Sequence, residues 1–302
     1  MKFATVEWKN GNIIVLENSK NGMLLDVIRA ANVFYKYNHT LPETMQEIIE
    51  GGEEIISCIK EVEKWAESES VEESFWLDKE QVIWKAPIPR PLKNIFCVGK
   101  NYADHAIEMG SIADIPNDVM LFTKTPTTVI GHNAVIPSHA DITEQMDYEG
   151  ELAVVIGKKG KAIKKEQANE YIFGYTIIND VTARDIQARH KQFFLGKSLD
   201  GTCPMGPYIV HKSQISEPVE LQVKTVVNGE LRQDGNTKQF IFSIPEIIEV
   251  ISKGMTLEPG DIIATGTPAG VGKGFNPSKF LRAGDVIEIT IEQIGTLCNK
   301  ID

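Results

Sequence analysis

The chain has 302 residues, with 31 Lys+Arg against 42 Asp+Glu and a formal net charge of −11. Hydrophobic content of 42% with 24% charged residues is ordinary globular composition and excludes wholesale disorder. A mildly acidic chain without a basic stripe also argues against a nucleic-acid binder, because neutralising phosphates needs clustered Lys and Arg.

In chain order, residues 1–18 read as a hairpin around Lys9-Asn10-Gly11-Asn12, since Asn-Gly is a strong turn signal. Residues 22–35 and 43–68 read as helices; in the second, Met45, Ile48, Ile49, Ile55, Ile56, Ile59, Val62 and Trp65 keep near-helical spacing. Ala86-Pro-Ile-Pro-Arg-Pro91 cannot be helix and suits an extended crossover. All four Trp precede residue 85, whereas 20 of the 24 Gly follow it. Residues 1–85 hold 16 acids and 9 bases. A small acidic N-terminal domain, 1–90, is therefore expected before a larger domain, 91–302.

Beyond the prolines, Asn94–Gly99 reads as a short strand and 102–109 as one or two helical turns. Leu152–Gly157, Ile172–Asn179, Met205–His211, Leu221–Asn228, Asp261–Ala264 and Val286–Glu292 read as strands, with a second hairpin at Asn228-Gly229. Ser243-Ile-Pro-Glu246 has capping-box spacing and opens a helix ending near Gly254. An α+β fold, mostly β, follows; a regular parallel α/β sheet is disfavoured because strands and helices do not alternate. No apolar run approaches the ~18 residues of a membrane helix. The opening MKFATVEWKN lacks the apolar stretch of a secretory leader, so a cytoplasmic protein is expected. Cys58, Cys97, Cys203 and Cys298 are widely spaced, which favours reduced thiols over a zinc ribbon or a disulfide framework.

Three carboxylates carry the first chemical signal. In Asp147-Tyr-Glu149-Gly-Glu151, Glu149 and Glu151 stand at i and i+2 of a strand start and share a face. Charges that close repel unless a cation lies between them. An isolated pair of this kind is more often a solvated edge. Asp180 ends a second apolar strand and changes the weighting, although alone it reads as a helix N-cap. Three carboxylates without nearby Cys or a His pair make an oxygen-only site, suited to Mg²⁺ or Mn²⁺.

Other candidates surround them. His105 and Glu108 stand at i, i+3 on a helical turn, where a carboxylate can orient an imidazole as a base; a surface ion pair is the plainer alternative. Arg184 and Gln187 share a face of the helix expected from Thr182, while Asp185 reads as a surface or structural acid. Residues 193–207 read as a long irregular loop whose Lys197 either meets a substrate or simply faces solvent. Cys203 reads as a packed thiol. The Gly-rich stretch 262–274 lacks the phosphate-loop pattern and reads as a backbone-donor loop closing over a small anion.

Together, the segments GKNYADHAIEMG, LFTKTP, DYEGELAVVIG, FGYTIINDVTARDIQ, FFLGKSLDGTCPMGP and DIIATGTPAGVG resemble the fumarylacetoacetate hydrolase family over about residues 94–302, in the family's order. The resemblance is strongest to bacterial oxaloacetate decarboxylase and acylpyruvase members. It implies a mixed β-sandwich roll, a homodimer, and one Mg²⁺ or Mn²⁺ on Glu149, Glu151 and Asp180. It also implies His105 and Glu108 as a mobile catalytic dyad and Lys197 as the active-site lysine. Arg184, Gln187 and Thr267 are implied near the substrate.

The expected chemistry is C–C cleavage next to a small 2-oxo acid. Decarboxylation of oxaloacetate to pyruvate and CO₂ through an enolate is the first expectation. Acylpyruvate hydrolysis, with His105 activating water, is the second, and oxaloacetate keto–enol tautomerisation is a third outcome of the same site. A binding or scaffolding protein on an inactive enzyme fold is the contrasting class; it would be favoured by loss of a ligand or of the dyad, and all five residues are present.

Overall fold

The computed structural model describes residues 1–37, 40–68 and 75–302. Strands β1 (Lys2–Trp8) and β2 (Gly11–Glu17) form the expected hairpin, with Trp8 opposite Gly11. The turn pair is Lys9-Asn10, both at positive φ, so the tight turn sits one residue before Asn-Gly. The first expected helix is preceded by strand β3 (Leu24–Asp26). Its start is delayed because Asp26 is the N-cap of α1 (Val27–Phe34) and accepts from Arg29 N–H at 3.1 Å. Helix α2 (Met45–Ser68) is broken at Gly52, whose φ of 58° only glycine adopts cheaply.

Strand β4 (Trp76–Leu77) follows, and then β5 (Ile95–Gly99), α3 (Ala103–Glu108), β6 (Met120–Lys124) and β7 (Val135–Ile136). Next come β8 (Gly150–Ile156), β9 (Ile172–Asn179), α4 (Arg184–His190), α5 (Phe194–Lys197) and β10 (Ile209–His211). The chain closes with β11 (Gln222–Val227), β12 (Glu230–Asn236), α6 (Ile244–Gly254), β13 (Ile262–Ala264), β14 (Val286–Ile291) and β15 (Gly295–Ile301). The Ser243–Glu246 capping box is present, and Asn228-Gly229 turns β11 into β12 at positive φ. The strand expected from Met205 is paired as a strand only from Ile209. Within 193–207, expected to be irregular, Phe194–Lys197 are helical.

The large sheet runs β4-β3-β2-β1-β10-β9-β8-β13-β5-β6, with Ile83–Trp84 also paired to β1. Its hydrogen bonding crosses residue 90 through β1 and β10, where Lys2 faces Val210. The smaller sheet is β12-β11-β14-β15-β7. Strand β8 is buried on both faces, which explains its unbroken apolar run. Leu152, Val154 and Ile156 join a core with Val223, Ile287, Ile289 and the apolar side of α6. Ala153 and Val155 point the other way, into a core with Ile48, Ile49, Ile56 and Ile59 of α2. The molecule is thus the mostly-β α+β sandwich expected, and the ends of β8 and β9 meet at its centre. Among the described residues, no helix is long and apolar enough to cross a membrane.

One half-buried histidine outside the site carries a stability prediction. His132 stacks edge-on against Trp84 at 5.7 Å, and its Nδ1 accepts from Cys298 N–H at 3.0 Å. Burial pushes it down to about 4. The unfolded chain titrates this ring near ~6.5 and so binds more protons between these values. The stabilisation is therefore complete above the unfolded value and is lost as pH falls toward 4. A loss of about 1–2 kcal/mol is expected after allowing for partial exposure. Chemical denaturation at several pH values should find this slope reduced in His132→Gln; parallel curves would refute it.

Candidate active site

Antiparallel pairing of β8 with β9 builds the centre. Gly150 lies opposite Asn179, so Glu149 and Glu151 at the start of one strand meet Asp180 just past the end of the other. The Asp180 N–H donates to Glu149 C=O at 2.8 Å and locks the corner. Gly150 leaves the room: a Cβ there would lie 2.4 Å from Thr225 Oγ1. One ligand atom from each carboxylate lies within 4.8 Å of the others, and all three side chains are buried. Asp180 is not an N-cap, because the residue capping α4 is Ala183.

Three buried cations hold these acids. Lys197 Nζ lies 2.6 Å from Glu149 Oε2 and 2.8 Å from Asp180 Oδ2. Lys124 Nζ lies 2.9 Å from Asp180 Oδ1. Arg184 joins Glu149 Oε1 at 2.7 Å to Asp147 Oδ2 at 2.8 Å. Burial would raise the Glu149 carboxyl, but Lys197 and Arg184 outweigh it and hold it at about 2. Burial alone would lower the Lys197 ammonium, yet Asp180 and Glu149 keep it above its ordinary value.

Glu151 is different. Its Oε2 accepts from Gly266 N–H at 2.8 Å, and none of the three cations pairs with it. Burial, Asp180 and Glu149 all push its carboxyl well above the carboxylate range. Four buried carboxylates thus face three buried cations, with the surplus at Glu151. A divalent ion between Glu149, Glu151 and Asp180 fits that surplus and the all-oxygen donor set.

A cavity of about 250 Å³ opens onto the centre, and His105, Gln187, Thr267 and Lys273 share its wall with Glu149 and Glu151. His105 Nδ1 lies 2.7 Å from Glu108 Oε1. The second oxygen of Glu108 accepts from Gly270 N–H at 2.9 Å, so the dyad is clamped to the Gly-rich loop. That loop's other donors also meet the chain's own acids: Gly272 and Lys273 N–H reach Asp147 at 2.6 and 3.1 Å. The anions of this loop are therefore Asp147, Glu108 and Glu151. Gly270, at φ 106°, has no alternative residue, since a Cβ would fall 1.9 Å from Arg232 C=O.

Lys197 does not face solvent; α5 carries it into the core, 2% exposed. Thr267 lines the cavity, but its hydroxyl donates to Gly150 C=O at 3.0 Å and accepts from Gln233 Nε2 at 2.7 Å. Gln187 Oε1 accepts from Arg184 Nη1 at 3.3 Å. Asp185 accepts from Thr143 at 2.5 Å, a structural contact. Cys203 is fully buried, and burial pushes its thiol up to about 12. Sequence reasoning missed Asp147, Lys124 and Gln233. Asp147 stands in the same motif as Glu149, and its spacing of two was the available signal. Lys124 gave none beyond its place in LFTKTP, because a buried lysine looks like any other until its partners are known.

A family model for the fumarylacetoacetate (FAA) hydrolase C-terminal region matches residues 94–302. The chain is 56% identical over 304 residues to the oxaloacetate tautomerase YisK of Bacillus subtilis (strain 168), covering 100% of both. Among solved structures, a fumarylacetoacetate hydrolase from Exiguobacterium antarcticum superposes with a TM-score of 0.83 at 42% identity, over 100% of this chain and 99% of that one. Fumarylpyruvate hydrolase from Pseudomonas aeruginosa, in complex with Mn²⁺ and pyruvate, gives 0.64 at 32% identity, over 70% of this chain and 90% of that one. A buried acid cluster at the joined ends of two sandwich strands, with this match, defines the class: the chain belongs to the fumarylacetoacetate hydrolase family.

Proposed function

We propose that this protein is a divalent-metal-dependent enzyme of the cytoplasm, active as a homodimer, that interconverts the keto and enol forms of oxaloacetate. The observation that carries the reading is Glu151. It is a buried carboxylate that faces a small cavity, lacks a cation of its own, and stands beside a base–carboxylate dyad. The full-length relative named an oxaloacetate tautomerase supports tautomerisation over decarboxylation, the first expectation from sequence.

Glu149, Glu151 and Asp180 would hold Mg²⁺ or Mn²⁺, which supplies Lewis-acid stabilisation of enolate charge. Glu108 accepts the Nδ1 proton of His105 and leaves Nε2 as the free ring nitrogen. Nε2 is then the atom that takes a proton from C3 of oxaloacetate and returns it to the enolate, on oxygen for the enol or on carbon for the ketone. Lys197 has three donors and spends two on Glu149 and Asp180, which leaves one for a substrate oxygen. Arg184 helps keep Glu149 ionised and holds Asp147 in place.

A second reading, acylpyruvate hydrolysis, is favoured by the Pseudomonas neighbour, a fumarylpyruvate hydrolase in complex with Mn²⁺ and pyruvate. The same His105 would then activate water. One panel separates the readings. With Mg²⁺ or Mn²⁺, a tautomerase speeds the decay of oxaloacetate enol absorbance without releasing pyruvate. Pyruvate release from oxaloacetate above the metal-only rate means decarboxylation, and cleavage of acetylpyruvate means hydrolysis. An enol decay no faster than buffer with metal sinks the first reading.

A further inference from the structure

The cavity wall carries more positive charge than its acids absorb. Lys197 and Arg184 are bound to the acid cluster, and Lys100 reaches Asp114 at 3.2 Å. Two further lysines line the same cavity, Lys191 and Lys273. Neither forms an ion pair with a carboxylate among the described residues.

Their positions are ordered. Arg184, Gln187, Ala188 and Lys191 line the cavity from one face of α4 and the residue after it. Burial falls along that face, from the buried Arg184 to the exposed Lys191. The paired charges thus lie at the floor and the unpaired ones toward the mouth. Lys191 sits on an exposed stem. Lys273 is exposed as well, but its backbone is fixed, because its N–H binds Asp147 Oδ2, the same oxygen that receives Arg184 Nε. Burial and the Arg184 guanidinium hold its ammonium below the ordinary lysine value, against the pull of Asp147. An ammonium so placed gains a partner only when an anion enters.

We propose that Lys273 is a specificity-determining residue: it binds the distal carboxylate of a four-carbon dicarboxylic 2-oxo acid whose 2-oxo acid end lies at Glu149, Glu151 and Asp180. Gln187 flanks this subsite, and Lys191 adds charge at its rim. The inference rests on the 2-oxo acid reading given above. A substrate without the second carboxylate leaves Lys273 unpaired, so the subsite selects dianions over monoanions of the same head group.

The test is calorimetric binding to the Mn²⁺-loaded protein with two probes. Pyruvate carries only the head group. 3,3-Difluorooxaloacetate carries both carboxylates and has no C3 proton to exchange. The wild type should bind the dicarboxylate at least about tenfold more tightly, as one charge-assisted contact is worth roughly that factor. Lys273→Met should abolish the preference and leave pyruvate affinity unchanged. Lys273→Arg should retain most of it, and Lys191→Met should reduce it less than Lys273→Met does. Equal binding of both probes by the wild type, or equal weakening of both in Lys273→Met, overturns the subsite and leaves the 2-oxo acid reading standing. Binding of neither probe by the wild type overturns both.

Discussion

Glu151→Gln and Asp180→Asn should part company in metal-stripped protein, although each is expected to abolish metal-dependent turnover. Asp180 receives two buried ammonium groups, Lys124 at 2.9 Å and Lys197 at 2.8 Å. An amide there leaves Lys124 without a countercharge and Lys197 with Glu149 alone, and breaking a buried pair costs about 3–5 kcal/mol. Asp180→Asn should therefore melt well below the wild type with no metal present. Glu151 receives no ammonium, only the Gly266 N–H, which a glutamine oxygen can still accept. Its carboxyl is held above the ordinary range by burial and by its acidic neighbours. A carboxyl raised in this way favours folding below the unfolded value, ~4.3, and loses that advantage as pH rises above it. At neutral pH the Gln variant is relieved of that cost and should match or exceed the wild type, by a few degrees at most. Adding Mn²⁺ should raise the wild-type melting temperature by mass action and leave both variants unmoved. A metal-induced rise retained in Glu151→Gln would remove it from the ligand set, and an unshifted apo melting point in Asp180→Asn would contradict the charge arrangement.

These two acids also mark what could be read in advance. The period-two placement of Glu149 and Glu151 follows from strand geometry, and their burial follows from the apolar run they introduce. That Asp180 would meet them depends on β8 pairing with β9 in one register, which is a long-range choice invisible to local pattern. The buried lysines were less legible still. Lys197 lies in a Gly- and Pro-rich stretch that reads as loop, and only the fold turns Phe194–Lys197 into a helical turn aimed at the core. Lys124 ends a short strand whose neighbours are partly exposed, so nothing local marks it as fully buried. The Gly-rich loop was read correctly as a set of backbone donors, but not their targets. Asp147, Glu108 and Glu151 reach it from three separate elements. Helix extent was misjudged at two residues: Asp26 caps α1 and delays it, and Gly52 interrupts α2 from within.

His105→Ala and Glu108→Gln should lower kcat for enolisation by similar factors, roughly 10²–10⁴-fold. The alanine variant removes the base outright. The glutamine variant keeps the ring but disturbs its protonation. A carboxylate at 2.7 Å accepts a hydrogen bond from Nδ1–H and so leaves Nε2, on a ring that lines the cavity, as the unprotonated nitrogen. A glutamine that turns its oxygen to the Gly270 N–H must offer its NH₂ to Nδ1, which moves the ring proton to Nε2 and blocks the base. Neither residue binds the three candidate metal carboxylates, so the melting shift produced by Mn²⁺ should persist in both variants. Because the two side chains act as one unit, the double variant should be little slower than the worse single one. Losses that multiply in the double variant would mean that His105 and Glu108 act independently, and the dyad would no longer explain the proton transfer.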